Sequence, residues 1–270
     1  MRPLWKGPLS FGLVNIPIKI YVATEKKDLK FRYLHKECMT PVQYEKHCPT
    51  CDKPIENNDI VYGYEYQKGR FVVLNEEDFA NIPIDVSKTI DILDFVDAAQ
   101  VDPVYFDKSY FLEPSEGGSK AYLLLVKAME TTGKIAIARL VIRTKQNLAA
   151  VRVKDGVLML QTMYYPDEVR SASGLDLPAE TIKVHDKEVK MAVSLVESLS
   201  TDFEADKYQN EYRQALREMI EAKAEGQDIH MPPAAAPSNV VDLMEALKQS
   251  IKAAEQNRKK PKPKKAKVAT

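Results

Sequence analysis

Three cysteines and a histidine fall within one short stretch, His35, Cys38, Cys48 and Cys51, spaced His-x2-Cys-x9-Cys-x2-Cys. An odd set of thiols clustered in this way is not a disulfide framework and points to metal or to free thiols. Two close pairs joined by a short loop can each supply two corners of a tetrahedral site, and Cys48-Pro-Thr-Cys51 reads as a zinc knuckle, with Asp52 where glycine often follows. The spacing therefore predicts one structural zinc per chain on His35, Cys38, Cys48 and Cys51. Unligated thiols are the alternative, and His47 is a second candidate for the His35 corner. With all four positions filled by protein, no place is left for the bound water of a hydrolytic zinc.

The second set of candidate residues is cationic. Between Thr131 and Lys154 lie Lys134, Arg139, Arg143, Lys145, Arg152 and Lys154, with no acid among them. Strand alternation predicts Arg139, Arg143 and Lys145 on one face, with Ala138, Leu140 and Ile142 toward the core. On the next strand Arg152 and Lys154 share a face opposite Val151 and Val153, and a hairpin would join both sets into one cationic surface. Such a surface suits phosphate, because each phosphate neutralised releases counterions without reading sequence. An ordinary solvated sheet face is the plainer reading. The stretch Glu76–Asp107 carries nine acids against Lys88 alone and is expected to face away from any nucleic acid.

Net charge is zero, with 39 basic and 39 acidic residues, yet the charges are segregated. Arg258, Lys259, Lys260, Lys262, Lys264, Lys265 and Lys267 form a run without acids, leaving 32 basic against 39 acidic residues elsewhere. A tail of this kind, interrupted by two prolines, cannot pack, and it attracts phosphate in a salt-sensitive, sequence-independent way; a solubility tail is its plain alternative. No phosphate-binding glycine loop, dinucleotide fingerprint or nucleophile elbow is present, and no nucleotide cofactor is expected. Trp5 and the thirteen tyrosines read as core and interface rather than base-stacking platforms. No apolar run approaches the ~18 residues of a membrane span, and Pro8, Asn15 and Pro17 interrupt any leader core, so a cytoplasmic protein is expected.

The elements that would carry these residues are mainly strands up to about residue 165 and helices beyond. In the opening RPLWKGPLSFGLVNIPIKIY, apolar residues alternate over Leu9, Phe11 and Leu13 and again over Val14, Ile16, Ile18 and Ile20. The parity slip beside Gly12 predicts a bulge or bend, and Pro17 predicts an edge strand or corner. Val72–Leu74, Ile90–Val96, Tyr122–Val126, Ile135–Ile142, Ala149–Val153 and Val157–Tyr165 read as further strands of an antiparallel barrel or sandwich. A short helix is expected at Asn75–Asn81, capped by Asn75. Helical periodicity then marks Asp186–Ser200 and Tyr208–Ala224, the latter with Tyr208 and Tyr212 on one face and Gly226 as its stop. A Pro/Ala linker and a third amphipathic helix from Asn239 follow; no internal repeat is apparent.

The string SFGLVNIPIKIY resembles the opening of the bacterial Ku proteins, and FDKSYFLEP (Phe106–Pro114), SKAYLLL (Ser119–Leu125), LAAVRVKDGVLMLQTMYYPDEVR (Leu148–Arg170) and QALREMIEAK (Gln214–Lys223) are similar to later blocks of that family. The resemblance runs in order over roughly 1–225. It implies a mainly β fold, a Ku-type antiparallel barrel core with a C-terminal helical arm. It also implies a homodimeric ring that binds double-stranded DNA ends in non-homologous end joining, without catalysis, and recruits and stimulates an ATP-dependent ligase of the ligase D type. Lys120 joins the DNA-binding candidates through the SKAYLLL string. The division implied is a core at 1–185 with a zinc loop at about 34–54, an arm at 186–226, a linker at 227–238, a ligase-docking helix at 239–257 and a disordered tail at 258–270. Association with the bacterial nucleoid would follow. The competing reading is a general DNA-compacting or architectural protein that binds along duplexes.

Overall fold

A computed structural model describes residues 1–80, 89–142, 145–178, 184–226 and 243–259. The opening alternation forms two strands, β1 (Trp5–Phe11) and β2 (Val14–Val22), paired antiparallel from Trp5↔Ile20 to Phe11↔Val14. The parity slip is thus a two-residue hairpin turn, not a bulge. Gly12 takes φ +59°, as the first position of a II′ turn requires, and Leu13 stands fully in solvent. Leu9, Ile16, Ile18 and Ile20 are buried. Pro17 does not mark an edge: it faces Pro8 across the hairpin, just before β2 begins its ladder with the strand after it at Ile18.

That neighbour is β8 (Phe106–Pro114). Two small hairpins intervene along the chain, β3–β4 (His47–Cys48 and Lys53–Pro54) and β5–β6 (Tyr62–Gln67 and Arg70–Leu74), followed by the short helix α1 (Glu76–Ala80) and then β7 (Ile90–Asp97). With β8 (Phe106–Pro114), β9 (Lys134–Ile142), β10 (Lys145–Lys154) and β11 (Val157–Met163), the larger strands close a barrel in the order β1-β2-β8-β11-β10-β9-β7. Six of its seams are antiparallel. The expected all-antiparallel barrel is corrected at the seventh, where β1 and β7 pair in parallel over Leu9↔Ile90 and Ser10↔Asp91. Asp155 and Gly156, both at positive φ, make the tight β10–β11 turn.

Inward residues of each strand, including Ala136, Ala138, Leu140, Ala149, Val151, Leu158 and Leu160, fill the barrel, leaving no passage through it. Helix α2 (Ser119–Thr132) packs against this core. The strand expected at Tyr122–Val126 is part of this helix: Tyr122, Leu125, Val126 and Met129 recur at helical spacing and are buried, while Leu123 and Leu124 face outward. The Tyr122 hydroxyl donates to the Leu112 carbonyl and accepts from the Leu158 N–H, each at 2.8 Å, tying α2 to both β8 and β11. Gly118 allows the helix start to approach β2, since a Cβ there would lie 2.9 Å from the Pro17 carbonyl oxygen.

The chain divides into two compact units, Met1–Ser173 and Gly174–Thr270. In the second, α3 (Asp186–Leu199) and α5 (Leu243–Lys259) pack together, and α4 (Glu211–Ala224) starts at Asn210, whose side chain accepts from the Arg213 N–H. Tyr208 therefore does not share a helix face with Tyr212; it precedes the helix and stacks on Phe203 at 5.6 Å. Val184, Val189, Val193, Val196 and Leu247 line an apolar groove between α3 and α5. Among the described residues no helix is long and apolar enough to cross a membrane.

Candidate nucleic-acid interface

The faces of β9 and β10 follow from their register. Ala136, Ala138 and Leu140 point into the barrel, which puts Arg139 on the outside. Likewise Ala149 and Val151 point inward and Arg152 and Lys154 outward. Arg139 stands opposite Leu148, four and six residues from Arg152 and Lys154, so the cations are spread over about 20 Å of strand at ~3.3 Å per residue. Lys145 does not share the Arg139 face. Strand β9 ends at Ile142, Lys145 pairs with Ile142, and directly opposed residues lie on one face, the one opposite Arg139. Arg143 lies outside the described residues. Lys120 is exposed on the first turn of α2.

Each cation has a defined setting. Lys134 Nζ pairs with Asp97 at 2.9 Å, and Lys145 Nζ with Glu168 at 3.4 Å. Glu168 also accepts the Tyr165 N–H at 2.9 Å; that backbone donor first, and Lys145 after it, hold its carboxyl below the usual carboxylate range. Arg152 Nε donates to Gln161 at 2.8 Å, and the Gln161 amide donates to Ser109 at 3.1 Å, a polar relay across the outer faces of β10, β11 and β8. Among the described residues, Lys154 and Arg139 are the outward cations of this strip without a side-chain ion pair or hydrogen bond, and Arg139 stands opposite Asp91 on β7. The acidic strand β7 is the neighbour of β9, so its acids border the cationic strip. Gln161, Ser109 and Glu168 carry no charge-run signal, and only strand pairing reveals their place beside the cations.

Of the basic tail, α5 takes in Arg258 and Lys259, while Lys260, Lys262, Lys264, Lys265 and Lys267 lie outside the described residues.

The metal candidates are gathered in pairs, not as four. His35 Nδ1 lies 3.1 Å from Cys38 Sγ, and Cys38 Sγ lies 2.8 Å from the Thr40 hydroxyl, which leads in holding that thiol below its ordinary pKa. Cys48 is lowered too, first by the Cys51 N–H and then by the Thr50 N–H, with the Cys51 side chain also in contact. Among the described residues no three His, Cys, Asp or Glu side chains come together as a metal-holding group.

The family model for the Ku70/Ku80 beta-barrel domain matches residues 10–191. The chain belongs to the Ku family. The matched span holds the barrel from the end of β1 onward, with the cationic strip and the cysteine loop. A protein named Non-homologous end joining protein Ku from Symbiobacterium thermophilum is 52% identical over 96% of the chain, which spans 64% of that relative's length. Proteins of the same name from Heliobacterium modesticaldum and Bacillus subtilis are each 46% identical, over 96% and 93% of the chain and 95% and 82% of their own lengths. Ku-family proteins bind DNA and are not catalysts.

Proposed function

We propose that this chain binds the ends of double-stranded DNA, without reading sequence, as a homodimer acting in non-homologous end joining. The observation that carries this reading is its 46–52% identity, over nearly the whole chain, to proteins named for that process. The packed barrel fits the ring arrangement, because the barrel itself offers no passage and a channel round the duplex has to be formed outside it. Two surfaces suit burial between copies: the β5–β6 hairpin, with Tyr62, Tyr64, Tyr66 and Phe71 exposed, and the apolar side of α3. Arg139, Arg152 and Lys154, with Lys120, Lys134, Arg143, Lys145 and the tail, supply the phosphate contacts. Preference for ends is topological, since a closed ring loads only where the duplex stops. Its place of action is the nucleoid in the cytoplasm.

The bound end is passed to an ATP-dependent ligase of the ligase D type, with α5 as the docking helix. The test is competition between a linear duplex and a covalently closed circle of equal length. Strong preference for the linear form is expected, while equal affinity indicates an architectural protein and overturns the proposal. For the ligase step, removal of 239–270 should abolish stimulation of joining and leave end preference intact; undiminished stimulation would refute the docking role.

A further inference from the structure

The loop that holds the cysteines is a short structural repeat. Tyr33–Val42 and Lys46–Ile55 follow one backbone hydrogen-bond pattern at an offset of thirteen residues, with Cys38 and Pro41 recurring as Cys51 and Pro54. Leu34 bridges Pro41 as His47 pairs with Pro54. The Val42 N–H donates to the Tyr33 carbonyl at 2.9 Å, as Ile55 donates to Lys46 at 2.8 Å. The Met39 N–H donates to the His35 carbonyl at 2.8 Å, as Asp52 donates to Cys48 at 2.9 Å. Met39 and Asp52 both take a left-handed φ, 55° and 49°, where side-chain-bearing residues seldom go. Two unlike sequences thus adopt one uncommon knuckle, and each places two metal-ligating residues at equivalent positions, His35 with Cys38 and Cys48 with Cys51.

No described residue between Tyr21 and Ala80 is buried, so neither hairpin has an apolar core. A lone two-stranded hairpin is marginal in water, and small units of this kind are held by staples such as metal ions. The His35–Cys38 separation of 3.1 Å is close to the edge of about 3.6 Å that zinc bond lengths of ~2.1 and ~2.3 Å impose on a tetrahedron. Thiolate and imidazole donors select zinc among the common divalent ions.

We propose that the two knuckles are the halves of one structural zinc site, which close on a single ion through the three-residue link Gln43–Glu45, with His35, Cys38, Cys48 and Cys51 as ligands. The repeat assigns the nitrogen corner to His35 and not His47, since His47 occupies the place of Leu34. The ion would replace the missing core and fix the angle between the hairpins.

The full chain, purified without chelator, should carry one zinc per chain. Cobalt substitution should give the intense visible bands and thiolate charge transfer of a tetrahedral sulfur-rich site. Cys38→Ser and Cys51→Ser, one in each half, should each release the ion on dialysis against a competing chelator. His47→Ala should retain it, and His35→Cys should retain it with stronger thiolate charge transfer. Because the barrel core is separate, far-ultraviolet circular dichroism should show these variants still folded. A metal-free wild type with three freely reacting thiols, a Cys48–Cys51 disulfide, half an ion per chain, or a Cys38→Ser protein that keeps its tetrahedral cobalt spectrum would each overturn the site.

Discussion

Glu168 stands between Lys145 and any phosphate that would use it. The pair is 3.4 Å apart with Lys145 largely exposed, so DNA must take the lysine away from a carboxylate that already neutralises it. Glu168→Gln removes that competitor and keeps an oxygen for the Tyr165 N–H. One newly available lysine releases about one more counterion, which steepens the slope of log affinity against log salt by ~0.9 for each chain touching the duplex. Over a fourfold change in salt, from about 50 to about 200 mM, that is an additional three- to fourfold loss of affinity per chain, or about twelvefold for the two chains of a ring. The assay is anisotropy titration of a labelled blunt duplex across that range. The control is the same substitution in a Lys145→Ala background, where the slope should not move.

The pH dependence of this effect has a definite sign. Glu168 titrates below the usual carboxylate range, so it is charged at neutral pH, and the difference between wild type and variant is full there. It closes only as pH falls through that depressed pKa and the wild type itself becomes neutral. The stability contributed by the same shift is present above the unfolded carboxyl pKa and is likewise lost as pH falls. An equal gain in the Lys145→Ala background would mean net charge alone acts, and no gain at all would remove Lys145 from the interface.

Two further outcomes follow from the barrel. Arg139→Ala and Lys154→Ala should each lower the salt slope by about 0.9, whereas Lys134→Ala, whose charge Asp97 already meets at 2.9 Å, should change it less; equal slopes for all three would show that the ion pair does not govern phosphate contact. Tyr122→Phe leaves the Leu112 carbonyl and the Leu158 N–H without their buried partner, at about 1–3 kcal/mol each, so a total loss of roughly 2–6 kcal/mol is expected in urea unfolding, and a loss under ~1 kcal/mol would mean that these two backbone groups find other partners.

Alternation in residues 9–20 is enough to reveal two strands and their buried faces, because the period of two is imposed by the pleat. It does not separate a bulge from a hairpin turn, since both shift parity by one; the pairing of Phe11 with Val14 decides for the turn. The same ambiguity misplaces Lys145, because β10 runs back antiparallel with Lys145 opposite Ile142, on the other face from the one a continuous strand would give it. Tyr122–Val126 reads as a strand while its window is short, and only the extension to Met129 exposes the helical stripe. The acidic strand β7 is visible as charge, yet its pairing with β9 is a long-range contact that local pattern does not contain. In the cysteine loop the ligand spacing is plain in the sequence, whereas the thirteen-residue repeat emerges from backbone bonds, because between Tyr33–Val42 and Lys46–Ile55 only a cysteine and a proline are identical.

The central claim is that two chains encircle the duplex, and trapping tests it most directly. Protein is loaded on a linear duplex, the ends are joined by an added ligase, and the closed circle is washed in high salt. Retention on the closed circle, with release as soon as a restriction cut reopens it, is the result expected of a ring. Release from closed and reopened DNA at the same rate would contradict it.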